Sequence, residues 1–282
     1  MKYIDLHTHS TASDGSVTPA EVVRAAKGAG LSAVALSDHD TTEGVAEALA
    51  EGEKSSIEVI PAIELSSESK TETHILGYFI DPESEALKSK LEAVCRVRYE
   101  REEDVCRKLN ALGFDVTMDE AREIAGDNIL CRAHFAKIMT NKGYVDSVKE
   151  AFDLYLSNGR PAYSGIQALT DVEAVHLIND AGGIAFVAHL NQTRRTLDDL
   201  YDFLKYLKSE GLAGIEGYYT EYTPESGEAY RRLASRLGLL LSGGSDFHGA
   251  FKPHISIGRG TGDLRVPYDV LTAMKEYRDT RG

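Results

Sequence analysis

YIDLHTHSTASDGSVTPAEVVRAAKG, residues 3–28, contains one complete strand-to-helix unit of the kind that the rest of the chain repeats. Its apolar start, Tyr3–Leu6, predicts a β-strand. Thr18 can cap the following helix, Pro19 suits its first position, and Glu21 completes a capping box. Similar apolar runs alternate with helical segments along the chain, a pattern typical of parallel sheets with crossover helices. The sequence therefore predicts an α/β fold.

Seven strands are predicted from these apolar runs. They span Tyr3–Leu6, Ala33–Leu36, Glu58–Ile63, His74–Ile80, Ile184–Ala188, Gly214–Gly217 and Leu239–Ser242. Further helices are predicted at 44–54, 171–181, 197–209 and 224–237. A length of 282 residues suits one α/β barrel that carries an insertion.

The insertion is expected between the fourth and fifth strands, because residues 84–165 predict helices alone. A long helix there ends at Gly113, a natural C-cap. Shorter helices are predicted around 117–125, 131–142 and 145–157. A structureless loop of this length would be unusual. We therefore expect residues 1–83 and 166–282 to form the barrel, and 84–165 to form a helical subdomain over one barrel mouth.

Composition limits the classes of partner. The formal net charge of −14 repels polyanions, so long nucleic acid is not expected, although a small phosphorylated substrate remains possible. No apolar run reaches the length of a membrane span, and the start of the chain does not resemble a signal peptide. The three cysteines lack CxxC spacing, which favours reduced thiols and a cytoplasmic location. The sequence leaves the oligomeric state open.

Histidines and carboxylates cluster where predicted strands end, which is where barrel enzymes carry their catalytic residues. Nine such side chains are candidate ligands: His7, His9, Asp14, His39, Glu64, His74, His189, Asp246 and His248. His74 lies at the start of its strand, but too few residues separate it from Glu64 for a parallel crossover. An antiparallel fourth strand would bring His74 back to the same rim.

These residue types predict a metal centre. Imidazole and carboxylate ligands without thiolates suit zinc, manganese or iron, and nine ligands exceed what one ion can use, so we expect two or three divalent ions. Each motif has a structural alternative: an isolated HxH is weak, residues 38–40 could cap a helix, and a single His ending an apolar strand is often structural. Six of the nine histidines nevertheless fall at the predicted mouth. His176 and His254 are expected to be structural.

The sequence resembles the PHP family, the polymerase-and-histidinol-phosphatase group of metal-dependent phosphoesterases. The matching blocks are DLHTHSTASDG at 5–15, ALSDHDT at 35–41, PAIELS at 61–66, HILGYF at 74–79, AFVAHL at 185–190 and GGSDFHG at 243–249. Within the family it is most similar to the stand-alone branch of nucleoside 3′,5′-bisphosphate phosphatases and 5′-to-3′ exoribonucleases. That branch has an arginine-histidine block and a PAY block, which here read CRAHFAKIM at 131–139 and GRPAYSG at 159–165.

The resemblance implies a distorted (β/α)7 barrel and a distribution of ligands over the ions. The first ion would be held by His7, His9, Glu64 and Asp246, the second by Glu64, His74 and His189, and the third by Asp14, His39 and His248. The mechanism expected is attack at phosphorus by a hydroxide bridging two ions. Catalysis would then centre on Asp246, His189 and Glu64.

Substrate phosphate is expected to meet arginines. Arg132 and Arg160 could bind it through forked hydrogen bonds with help from His134, and Arg194 and Arg195 are secondary candidates. The structural alternative is that these arginines form surface ion pairs. The chain departs from its relatives here, with Cys-Arg-Ala-His in place of the usual Arg-Pro-His and Ala-His-Leu in place of Ala-His-Pro.

Three functions follow from these features. The first is a phosphatase acting on a small metabolite, such as the 3′-phosphate of a nucleoside 3′,5′-bisphosphate. The second is a phosphodiesterase that cleaves a cyclic phosphate or the 5′ end of short RNA. The third is a non-catalytic module that metal stabilises, although the complete ligand set argues against it.

Overall fold

The computed structural model describes residues 2–68, 72–126, 130–165 and 169–281. The chain forms two compact units. One unit contains Met1–Leu91 and Leu169–Gly282, and the other contains Glu92–Ala168. The candidate metal ligands all belong to the first unit, which we call the barrel unit. The second is called the helical unit.

One sheet of eight strands dominates the described part of the barrel unit. Its strands are β1 (Tyr3–Asp5), β2 (Ala33–Leu36), β3 (Glu58–Glu68), β4 (Glu72–Tyr78), β5 (Ile184–Val187), β6 (Gly214–Tyr219), β7 (Leu240–Gly244) and β8 (Val266–Pro267). They are ordered β7-β6-β5-β4-β3-β2-β1-β8. Strand β4 runs antiparallel to both β3 and β5, which confirms the orientation predicted from the short Glu64-to-His74 connection.

The seven predicted strands are all present, and β8 is an addition. It contains two residues and pairs antiparallel with β1, so neither its length nor its alternation gives a sequence signal. Strand β3 continues five residues beyond the predicted end at Ile63, because its second half pairs with β4. That pairing begins at Ala62, continues past Glu64 and supports the part of the sheet that carries His74.

The described residues of the two units also form helices. They are α1 (Pro19–Gly28), α2 (Val45–Ser55), α3 (Glu85–Ala111), α4 (Met118–Ala125), α5 (Arg132–Asn141), α6 (Val148–Ala151), α7 (Asp171–Asp180), α8 (Leu197–Ser209), α9 (Pro224–Leu237) and α10 (Tyr268–Asp279). The capping box that Thr18 and Glu21 predict for α1 is present.

Side chains alternate between two apolar layers along the strands, as expected for a barrel. In β2, Ala33 and Ala35 belong to the inner core, together with Phe186 of β5. Val34 and Leu36 of the same strand belong to the cluster formed with α1 and α2. All four β2 residues are therefore buried, which explains why the strand is an uninterrupted apolar run.

The barrel closes where β1 meets β7. The Leu6 amide donates to the Gly243 carbonyl at 3.0 Å, and the Asp246 amide donates to the His7 carbonyl at 2.9 Å. A Cβ at Gly244 would lie 2.3 Å from the His7 nitrogen, so only glycine allows the strands to approach this closely. This seam holds the loops after β1 and β7 side by side.

The helical unit has its own apolar core. Val105 and Leu109 of α3 pack with Phe135 and Met139 of α5, and each of these side chains is almost fully buried. The helix predicted at 145–157 is divided, because α6 gives way to a π-helical turn at Phe152–Leu156. Along the described residues, no helix has both the length and the apolar character that crossing a membrane requires.

Candidate metal centre

The candidate ligands lie at the ends of the strands that the sequence assigns to them. His7 and His9 follow β1, and Asp246 and His248 follow β7 across the barrel seam. A parallel bridge between Thr8 and Phe247 fixes the two loops in register. The seam therefore places four of the nine candidates next to one another, although the two pairs are far apart in sequence.

Glu64 lies at the centre of the cluster and is 1% exposed. Five imidazoles surround its carboxylate. The closest ring nitrogens lie 2.9–3.4 Å from a Glu64 oxygen, and they belong to His7, His9, His39, His74 and His189. Oε2 faces the rings that follow β1 and β2, whereas Oε1 faces those of β4 and β5. One carboxylate thus contacts two sides of the cluster.

Asp14 and Asp246 occupy the other flank. The rings of His9 and His248 lie within 3.5 Å of Asp14 Oδ1, and both rings lie 3.3 Å from Asp246 Oδ1. The ring of His39 is 3.8 Å from Asp14 Oδ2. Asp14 is the most exposed of these carboxylates, with 37% of its side chain accessible. Solvent therefore reaches this flank at Asp14, whereas Asp246 is buried.

All nine candidates fall into groups of three or four whose donor atoms lie within 4.8 Å of one another. The groups are His9, Asp14, His39 and His248; His7, His9 and Asp246; His7, Glu64 and His189; and His39, Glu64 and His74. The groups share members. The donors therefore form one continuous cluster.

The residues fit divalent ions in two respects. Both ring nitrogens of His9 and Nδ1 of His39 are buried and lack a hydrogen-bond partner within the described residues. Buried polar atoms are normally satisfied, so these nitrogens are suited to a ligand. The donors are nitrogen and oxygen only, the set that zinc, manganese and iron accept.

The ionisation of Glu64 is consistent with this role, whereas His9 must release a proton to bind an ion. Burial alone would lower the pKa of His9, but Asp246, Glu64 and Asp14 raise it to about 9. Burial lowers the pKa of His39 to about 3 despite its acidic neighbours. Burial of Glu64 is opposed by the surrounding imidazoles, led by His39, which hold its pKa well below the usual range. The central carboxylate is therefore charged at neutral pH, as a metal ligand must be.

Residues 38–40 do not cap a helix, so that alternative is wrong. Helix α2 begins after Gly44, which makes no side-chain capping bond. The Asp38 carboxylate instead accepts hydrogen bonds from the amide and hydroxyl of Ser10 and the hydroxyl of Ser13, at 2.6–2.7 Å. Asp38 therefore anchors the loop that runs from His9 to Asp14.

Three polar residues that the sequence analysis did not select also contact the cluster. The hydroxyl of Tyr219 donates to Asp246 Oδ2 at 3.0 Å, and Lys252 Nζ lies 2.7 Å from the same oxygen. Glu216 bonds Nδ1 of His7 at 2.9 Å. Glu216 had a usable signal, because a charged residue inside a buried strand is rare unless it is paired. Tyr219 ends β6 and Lys252 lies in a loop, so neither position gave a sequence signal.

The two histidines expected to be structural lie outside the metal groups formed by the described residues. His176 Nε2 is 3.2 Å from Glu210 Oε2, and its side chain is half exposed. His254 is exposed.

The candidate substrate residues have local contacts of their own. In the helical unit, the Arg132 guanidinium lies over the Tyr163 ring, His134 Nδ1 accepts from the Cys131 amide, and Arg160 is exposed. In the barrel unit, Arg194 has a left-handed backbone and is exposed. Arg195 stacks on Phe203, with 4.0 Å between its guanidinium carbon and the ring centroid. Their role toward substrate stays a prediction.

Comparisons with known proteins identify relatives of this chain. The chain is 35% identical over 254 residues to a 3′,5′-nucleoside bisphosphate phosphatase of Chromobacterium violaceum, with 88% of each chain covered. It is 32% identical to a 5′-3′ exoribonuclease of Haemophilus influenzae, covering 88% of this chain and 90% of that protein. A phosphoribosyl 1,2-cyclic phosphate 1,2-diphosphodiesterase of Eggerthella lenta is 31% identical, with 89% and 97% covered.

The fold has a close match among solved structures. An amidohydrolase from Chromobacterium violaceum, solved with bound sulfate, superposes with a TM-score of 0.85 at 30% identity, covering 98% of this chain and 96% of that one. The model of the PHP domain matches residues 5–237, which include seven of the nine candidate ligands. Taken with the histidine and carboxylate cluster, this match shows that the chain belongs to the PHP family and is a metal-dependent phosphoesterase.

Proposed function

We propose that this enzyme removes phosphate from a small phosphorylated metabolite, and that its preferred substrate is the 3′-phosphate of a nucleoside 3′,5′-bisphosphate. The observation that carries the hydrolytic part is the carboxylate of Glu64 within 3.4 Å of five imidazoles. Support for the substrate comes from the bisphosphate phosphatase relative at 35% identity.

The nine candidates are proposed to hold two or three ions of manganese, iron or zinc. Glu64 would be shared between ions, because its two oxygens face different imidazoles. Bound ions supply an activated water at neutral pH and stabilise charge on the entering and leaving oxygens. Asp246 presents Oδ1 to the imidazoles, while Tyr219 and Lys252 hold its other oxygen. His189 completes the catalytic set from β5.

Arginines of the helical unit are proposed to bind the substrate phosphate. Arg132 and Arg160 offer forked donors that match phosphate oxygens, and His134 would assist them. Arg194 and Arg195 are proposed as secondary contacts. The placement of residues 84–165 over the barrel mouth belongs to the same proposal.

A test of the arginine proposal is the variant Arg132→Met. A hydrogen bond to a charged group contributes about 1.5–3 kcal/mol, so kcat/KM should fall about 10- to 100-fold, mainly through a higher KM. The metal content should not change. Arg107→Met is a matched control, because Arg107 is an exposed arginine of α3 that pairs with Asp104. Unchanged KM in Arg132→Met would show that Arg132 has no part in phosphate binding.

A second candidate function is hydrolysis of a phosphodiester. Two relatives favour it, the exoribonuclease at 32% identity and the cyclic phosphate diphosphodiesterase at 31%. The net charge of −14 disfavours long RNA, but it does not oppose short 5′-phosphorylated oligonucleotides.

The deciding experiment measures kcat/KM for each substrate class under one set of metal conditions. The substrates are a nucleoside 3′,5′-bisphosphate, a sugar cyclic phosphate and a 5′-phosphorylated oligoribonucleotide, each tested with manganese, iron and zinc. We expect the bisphosphate to react fastest. A higher kcat/KM for either diester would replace the phosphatase assignment with the phosphodiesterase one.

A further inference from the structure

Glu216 is a fully buried carboxylate in the middle of β6, with 0% of its surface exposed. A buried carboxylate is costly unless it is paired and hydrogen-bonded. In the described part of the chain, the ion-pair partner of Glu216 is the ring of His7, and no lysine or arginine takes that place. Both of its oxygens are therefore available to the candidate ligands.

One oxygen fixes the ring of His7. Glu216 Oε1 lies 2.9 Å from His7 Nδ1, while Nε2 of the same ring lies 3.1 Å from Glu64 and 3.7 Å from Asp246. A carboxylate acceptor at Nδ1 favours the tautomer that carries its proton there, which leaves Nε2 with a lone pair. His7 then presents a ligand atom to the cluster.

The other oxygen fixes the backbone of His189. Glu216 Oε2 accepts a hydrogen bond from the His189 amide at 2.7 Å. His189 has φ of 20° and ψ of 67°, a sparsely populated conformation for a residue with a side chain. Such backbones persist where surrounding contacts hold them. In this conformation Nε2 of His189 lies 2.9 Å from Glu64 Oε1.

The backbone of Glu216 is itself fixed by a hydrogen bond. The hydroxyl of Tyr222 donates to the Glu216 carbonyl at 3.1 Å and accepts from the Leu190 amide at 2.8 Å. The pairing of β6 with β7 shifts register between Glu216 and Tyr218. Irregularities of this kind re-aim side chains beside functional sites.

We infer that Glu216 is the positioning residue of the metal centre, whose single carboxylate orients the ring of His7 and the backbone of His189 for ion binding. The inference rests on the proposed metal centre, because orientation has this purpose only if ions bind there. In this role Glu216 supplies no donor atom to the ions. Loss of such outer contacts typically lowers metal affinity about 10- to 100-fold.

The test measures Zn²⁺ and Mn²⁺ affinity of the folded, full-length protein by competition with a chelating indicator. Glu216→Gln preserves size but replaces one acceptor with a donor, so it cannot serve both His7 and the His189 amide. We expect its affinity for both ions to fall about 10- to 100-fold. Glu51→Gln is the control, since Glu51 is also a buried carboxylate that accepts hydrogen bonds from two side chains, Arg24 and Ser55, and it lies outside the metal groups.

A second measurement does not depend on a variant that folds. In the zinc-loaded wild-type protein labelled with ¹⁵N-histidine, NMR should show the proton of the His7 ring on Nδ1. If Glu216 were merely structural, Glu216→Gln would lower the free energy of unfolding and leave ion affinity unchanged, and that result would overturn the inference. A wild-type His7 ring with its proton on Nε2 would overturn it as well. Wild-type protein that binds neither ion would overturn the metal centre as well, which separates the two failures.

Discussion

The variant Asp246→Asn should lower kcat by about 10²- to 10⁴-fold while the fold survives. Metal-assisted stabilisation is worth several kcal/mol at the transition state, and each 1.36 kcal/mol is a factor of ten in rate. Oδ1 of Asp246 lies 3.3 Å from ring nitrogens of His9 and His248. Asparagine keeps the shape, but it removes the negative charge and can turn an amide donor toward the ions.

The measurement is kcat with saturating substrate and metal, accompanied by circular dichroism and urea unfolding. Asp198→Asn is a suitable control, because Asp198 is an exposed residue in the first turn of α8. Its kcat should match that of the wild type. Turnover near the wild-type value in Asp246→Asn would remove Asp246 from the catalytic set.

Glu64→Gln is expected to have the largest effect on metal content. Glu64 belongs to two of the metal groups found in the described residues and contacts imidazoles from four strands or their ends. Glutamine offers one acceptor in place of a charged pair of oxygens, so it cannot be shared between ions. We expect the number of ions bound per chain to fall by more than one, and hydrolysis to be lost with them.

Ion content after dialysis, measured by inductively coupled plasma mass spectrometry, checks this expectation. Glu58→Gln is a demanding control because Glu58 begins the same strand, β3, and pairs with Lys275 and Tyr268. It changes a carboxylate of the same type and leaves the cluster intact. Undiminished ion content in Glu64→Gln would show that Glu64 is not a shared ligand.

The positions of the nine candidates could be predicted because each follows from local sequence. His7 and His9 end an apolar run, and a parallel strand places its C-terminal residues at one rim. Even the antiparallel direction of β4 follows from a count, since too few residues separate Glu64 from His74 for a crossover. These predictions depend on residues that are close together in the sequence, so the tertiary structure does not change them.

Contacts across the barrel could not be predicted in the same way. Glu216 and His7 are 209 residues apart, and no spacing rule links them. Lys252 reaches Asp246 from an irregular loop that has no period to interpret. Helix α10 was not predicted, but it differs from these long-range contacts because the sequence contains a signal for it. Leu271 and Met274 are buried and three residues apart, which is helical spacing.

The seam between β1 and β7 also bears on when the site can form. Asp5 bonds Ser245 across it, a sequence separation of 240 residues, and the ligands on either side come from the two ends of the barrel unit. During synthesis, a nascent chain therefore cannot assemble the group of His7, His9 and Asp246 until Asp246 has left the ribosome. An ion bound at that group would cross-link residues that are very far apart in the sequence. A cross-link that closes a long loop removes the most chain entropy from the unfolded state.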